Sequence, residues 1–167
     1  MRRRDVIDML LLAALWGASF LFMRIAAPQF GALPLAAVRV AGAAALLLAI
    51  LAAQRGLSGL RGRWRPIGFV GITNSALPFL GFSLAALSIP AGLSSILNAT
   101  SPMFGALIAM LWLRESGSPS RAAGLLLGFA GVAILAWDSA RLGSPGQGYA
   151  GAIGLCLAAA ALYALDH

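Results

Sequence analysis

The stretch Ile67 to Leu113, IGFVGITNSALPFLGFSLAALSIPAGLSSILNATSPMFGALIAMLWL, runs for 47 residues without a charge. One helical bilayer crossing takes about 20 apolar residues. This stretch is too long for one crossing and fits two. Near its middle, Ser88-Ile89-Pro90-Ala91-Gly92 gathers helix breakers, which reads as a tight hairpin between two membrane helices. The polar residues inside the pair are few: Thr73, Asn74, Ser75 and Ser83, then Ser94, Ser95, Asn98, Thr100 and Ser101. Polar groups are costly in hydrocarbon, so they are expected to face other helices or a wet cavity. Each helix also carries an Asn and a Pro near mid-depth, which makes the pair the first place to look for function.

The rest of the chain agrees. Only 10% of its 167 residues are charged, where a soluble domain carries about a quarter. The sequence therefore specifies an integral membrane protein, all-α, a polytopic helix bundle. In a soluble protein a net charge of +7 would suggest nucleic acid. Here the basic residues lie between apolar spans, where orienting the chain against the lipid bilayer explains them, and no nucleic-acid partner is expected. The single Cys156 lies in an apolar run, and the single His167 is the last residue. Neither a disulfide framework nor a metal site is expected, and no cofactor is implied.

Working outward, the basic start followed by an apolar run resembles a secretory signal, but a small-x-small cleavage site is lacking and an uncleaved first helix is expected. That helix is read at about Val6 to Ala27, with Trp16-Gly17-Ala18-Ser19-Phe20 and then Arg24. Pro28, Gly31 and Pro34 mark a short turn, and a second span runs from about Leu35 to Ala53 with Arg39 early in it. After the central pair, a fifth span is read at about Ala122 to Trp137 and a sixth apolar run at Tyr149 to Leu165. Arg2, Arg3 and Arg4, the four arginines between Arg55 and Arg65, and Arg114 with Arg121 fall on one side of this topology, against Arg141 on the other. Positive residues favour the cytoplasmic face. The reading is a multi-pass protein of the plasma (cytoplasmic) membrane with its N-terminus in the cytoplasm.

Catalysis in a membrane needs a nucleophile with a base, a metal cluster or paired carboxylates. The five acids, Asp5, Asp8, Glu115, Asp138 and Asp166, all fall at helix ends or in loops. No enzyme is expected. In the fourth helix Ser94, Asn98, Ser101 and Gly105 share one face by their spacing. That stripe reads either as the lining of a solute pathway or as a small-residue packing seam. Pro102 frees a backbone carbonyl near Asn98 that neighbouring groups or water must satisfy. Gly71, Asn74, Pro78 and Gly81 repeat the theme in the third helix, and two matching seams favour a cavity. Arg24 and Arg39 lie nearest the apolar interior, but both are within snorkelling range of the outer ends, which favours a structural or surface role. Gly124 and Gly128 have the GxxxG spacing of close helix packing. Trp16 fits either a cavity wall or packing bulk.

Together, Leu15-Trp16-Gly17-Ala18-Ser19-Phe20 with Arg24, Pro34 with Val38-Arg39, Asn98 to Pro102, Leu113-Arg114-Glu115, and Gly124 with Gly128-Phe129-Ala130-Gly131-Val132 resemble the EamA-type transporters of the drug/metabolite transporter superfamily. That resemblance implies ten helices in two inverted five-helix repeats and solute transfer between them by alternating access. It makes residues 1–140 the first repeat and 149–167 the start of a second, incomplete one, about six membrane helices of a truncated chain. It implies transport, as export or uptake with export the expected direction, of a small-molecule solute, a metabolite or drug-like compound. Trp16, Asn74, Asn98 and Thr100 become candidate cavity residues, and Arg39 a structural or gating cation. The resemblance leaves three alternatives: completion by a missing second repeat, a half-transporter working as a homodimer in the manner of small multidrug-resistance proteins, and a fragment that transports nothing. The small multidrug-resistance proteins themselves carry a membrane glutamate in their first helix, and Leu10 to Met23 hold no acid here.

Overall fold

A computed structural model describes residues 3–54, 56–60, 62–112, 119–142 and 148–164. They form six helices: α1 (Arg3–Phe30), α2 (Ala32–Ala53), α3 (Trp64–Ala85), α4 (Ala91–Trp112), α5 (Pro119–Leu142) and α6 (Tyr149–Ala164). A short 3₁₀ turn, Gly56–Leu60, lies between α2 and α3. The first five are long and apolar enough to cross a membrane. The 16 residues of α6 span about 24 Å at 1.5 Å per residue, somewhat less than a hydrocarbon core of about 30 Å.

The turns are tighter than the breakers suggest. Pro28 lies inside the last turn of α1, and only Gly31 separates α1 from α2, with φ 81. That left-handed backbone favours glycine, which has no Cβ to clash. Pro34 falls in the first turn of α2, where its missing N–H has no intrahelical acceptor to serve. The α3–α4 hairpin forms at the expected residues, with Pro90 extended immediately before Ala91.

Successive helices alternate in direction. Phe20 and Arg24 of α1 meet Phe82 and Ala86 at the end of α3, so these two run parallel. Phe104 of α4 meets Phe129 of the oppositely running α5 with ring centroids 5.3 Å apart. α6 runs against α3 and alongside α4, and α3 is its most extensive partner. Close approach there depends on small residues, as in lipid, where burying apolar surface does not itself drive helices together. A Cβ added at Gly81 would stand 3.4 Å from both Ala159 Cβ and the Leu155 carbonyl.

Packing is uneven along the bundle axis. At the end holding the Gly31 turn and the α3–α4 hairpin, Met23, Ala27, Phe82, Ala85, Ile89, Leu93, Leu97, Ala152 and Cys156 form one buried core. Toward the other end, where Arg63 and Arg65 lie, residues 4–17 of α1, 41–50 of α2 and 64–72 of α3 are all exposed. Residues 103–110 of α4 stay half-buried there. The bundle is closed at its turn end, and at its basic end α1, α2 and α3 are uncovered while α4 keeps its contact with α5.

Candidate functional site

The change from packed to exposed falls at one level in α1, α2 and α3, while α4 stays half-buried beyond it, and the backbone is irregular at that level in α3 and α4. In α3 the level is a π turn, Ile72–Ala76, carrying Thr73, Asn74 and Ser75. Pro78 explains its position. In a regular helix the proline ring would press on the Asn74 carbonyl and leave it without a donor, and a wider turn relieves both. Thr73 Oγ1 donates back to the Phe69 carbonyl at 2.9 Å. The extra residue of the π turn shifts the helical register. Gly71 lies in the exposed stretch that ends at Ile72, whereas Asn74 is half-buried and Pro78 and Gly81 are buried.

In α4 the same level is a break at Ala99–Thr100 between Ala91–Asn98 and Ser101–Trp112. Two hydroxyls satisfy the carbonyls released there. Thr100 Oγ1 donates to the Leu97 carbonyl at 2.6 Å, and Ser101 Oγ to that of Asn98 at 2.8 Å. Asn98 Oδ1 is itself buried without a hydrogen-bond partner among the described residues. One turn earlier, Ser94 Oγ is buried without a hydrogen-bond partner among the described residues, with the Cys156 sulfur, a weak acceptor for its hydroxyl, beside it. Ser94 beside Cys156 and Gly105 beside Ala164 show which way the stripe points. It faces α6.

The third feature is a cation. Arg39 of α2 is half-buried and donates through Nη2 to Ser19 Oγ of α1 at 2.8 Å. Its guanidinium lies over the Phe79 ring of α3, 4.8 Å from the centroid, a favourable cation–π arrangement. Tyr163 of α6 is close enough to interact with it electrostatically. Around this group Phe20 meets Phe82 edge-on at 5.5 Å, and Phe82 stacks on Tyr163 at 6.3 Å. One residue from each of α1, α2, α3 and α6 thus converges at the level where the bundle begins to open.

Of the residues singled out by sequence, Thr100 is fully buried, Asn74 and Asn98 are half-buried, and Trp16 is 59% exposed on the splayed part of α1. Arg39 stands at the convergence just described. A Cβ added at Gly128 would come within 2.6 Å of Met103 Cε, whereas Gly124 faces open space. Between α3 and α6 lies a wholly apolar groove of about 220 Å³, lined by Leu77, Leu80, Gly81, Leu155 and Leu162 among others. It contains none of the polar residues. Sequence reasoning passed over Ser19, Phe79 and Phe82 as site residues. The i, i+3 spacing of the two phenylalanines was the available signal.

A bundle of apolar helices, discontinuous at one polar level near mid-membrane, is how secondary transporters build their solute sites. The EamA-like transporter family matches residues 6–137, and the chain belongs to that family. It is 28% identical over 135 residues, 80% of this chain and 44% of the relative, to an uncharacterized transporter, YvbV, of Bacillus subtilis. It is 29% identical over 122 residues, 72% of this chain and 41% of the relative, to a probable terminal-alkyne amino-acid exporter of Streptantibioticus cattleyicolor. An uncharacterized transporter of Archaeoglobus fulgidus is 30% identical over 122 residues, 72% of this chain and 42% of its own length. The chain thus spans less than half the length of these relatives. No solved structure matches it significantly.

Proposed function

We propose that this chain supplies one wall of a plasma-membrane exporter of small metabolites or drug-like solutes, working by alternating access. The observation that carries the reading is the shared level at which α1, α2 and α3 change from packed to exposed and α3 and α4 lose regular helix, set on a family of transporters. With the arginine-rich end in the cytoplasm, a bundle closed at its turn end and open at its basic end corresponds to an inward-facing form. Residues 1–140 act as a five-helix repeat, and 149–167 open a second one. Trp16, Asn74, Asn98 and Thr100 line the solute path, and Arg39 stands at its closed limit. The exporter name of the Streptantibioticus relative supports the outward direction and an amino-acid-like solute.

The uncovered faces of α1 and α2 at the basic end also support a second reading, a homodimer in which another copy covers them. Reconstitution in proteoliposomes tests both. Saturable, counterflow-competent flux of small solutes is expected, and an inserted, folded chain no better than empty liposomes overturns transport. Cross-linking in the same membranes separates a dimer from a single copy.

A further inference from the structure

The two arginines within the bundle are held differently. Arg24 donates through Nη1 to the carbonyl of Ala86, at the C-terminus of α3, where unpaired carbonyls and the helix dipole supply partial negative charge. Arg39 lies past the first turn of α2 and has no such partner. Among the described residues it meets one neutral hydroxyl, Ser19, and one aromatic face, Phe79, with Tyr163 nearby. The described acids, Asp5, Asp8 and Asp138, lie near helix ends, and none pairs with Arg39.

A guanidinium has five N–H donors in a planar fork, and Ser19 takes one of them. Arg39 has no counter-charge among the described residues, and a half-buried cation so placed in a membrane protein is costly, by several kcal/mol for a full desolvation. A single hydroxyl and one ring offset only part of that. The group that best completes such a fork is a carboxylate, through two parallel charge-assisted hydrogen bonds. The surroundings describe the rest of the ligand. Phe79 under the guanidinium, Tyr163 nearby and Phe20 beside Ser19 in sequence are all half-buried, and the buried Phe82 touches both Phe20 and Tyr163.

We propose that Arg39 is a recognition site for the carboxylate of a small solute whose apolar or aromatic body lies against Phe20, Phe79 and Tyr163. This inference rests on the transporter reading above and narrows its substrate class to organic acids, amino acids among them. The same contact links α1, α2 and α3 through one bound anion, at the level where these helices part.

The test compares 3-phenylpropionate with its neutral amide, 3-phenylpropionamide, binding to the full chain in nanodiscs, with empty nanodiscs subtracted. The acid should bind about tenfold more tightly than the amide, the order expected of one charge-assisted pair. Arg39→Gln should abolish that preference by weakening the acid about tenfold more than the amide. Equal affinities in the unaltered chain, or a preference that survives Arg39→Gln, overturn the proposal. Should Arg39→Gln fail to fold, Arg39→Lys decides: it keeps the charge but loses the fork, and an unreduced preference for the acid overturns the proposal. Flux of neutral solutes with no preference for acids sinks this inference and leaves the transporter reading standing. Acid binding without flux of any solute does the reverse.

Discussion

The hydroxyl of Ser101 donates to the carbonyl of Asn98 at 2.8 Å, in the place where the residue after it, Pro102, has no N–H to offer. Ser101→Ala should therefore leave a partly buried carbonyl unpaired and destabilise the bundle by about 1–2 kcal/mol. Pro102→Ala in the same chain supplies an N–H at position 102 and should restore most of the loss. The readout is already built in. Cys156 is the only cysteine and is fully buried, so a thiol-reactive dye reports unfolding on heating. A double variant no more stable than Ser101→Ala would refute this account of the break.

Arg24 ties α1 to the end of α3 through the Ala86 carbonyl. Arg24→Ala should cost about 1.5–3 kcal/mol, the range for a hydrogen bond made by a charged group, seen as a lower midpoint in the same dye assay. Arg24→Lys keeps the charge near the helix C-terminus and should recover part of it. If Arg24→Ala melts with the parent chain, the contact is incidental.

These two arginines show what was legible in the sequence and what was not. The spans, the hairpin at Pro90 and the need to satisfy the carbonyl opposite Pro102 follow from residue types and spacing within single helices. Which way Arg39 points does not. Its pairing with Ser19 depends on the register of α2 against α1, and helical spacing rules say nothing about residues 20 positions apart on separate helices. The stripe from Ser94 to Gly105 was visible as a face. That α6 covers it depends on Gly81, Ala159 and Ala160 letting α3, α4 and α6 approach, which only the assembled bundle reveals. The π turn was not legible either, since Pro78 predicts strain on the Asn74 carbonyl but not whether the helix answers with a wide turn or a kink.

The packing of α6 can be tested directly. A Cβ added at Gly81 lies 3.4 Å from that of Ala159, close to the roughly 3.5–4.5 Å that disulfides use. In a Cys156→Ala background, the pair Gly81→Cys and Ala159→Cys should cross-link spontaneously or with mild oxidant. The product appears as a reducible band that stays whole after cleavage at a protease site inserted between residues 143 and 147. Free thiols under oxidant would mean that α6 does not sit on α3 in the membrane.

Asn98 separates the two readings of the α4 stripe. Its Oδ1 is buried without a partner, so as a packing residue it is a net cost, and Asn98→Leu, of similar size, should stabilise the fold by about 1–2 kcal/mol. As a solute contact, that same unpaired acceptor is what the solute would use, and its loss should lower flux by about tenfold or more, the scale of one buried hydrogen bond left unmade in a built site. Both quantities are measured on one preparation, the melting midpoint by thiol dye and the initial rate in proteoliposomes. A raised midpoint with reduced flux assigns Asn98 to the pathway, because better folding cannot explain slower transport. A raised midpoint with unchanged flux makes the stripe a packing seam beneath α6, and the solute path must then run along the other face of α4.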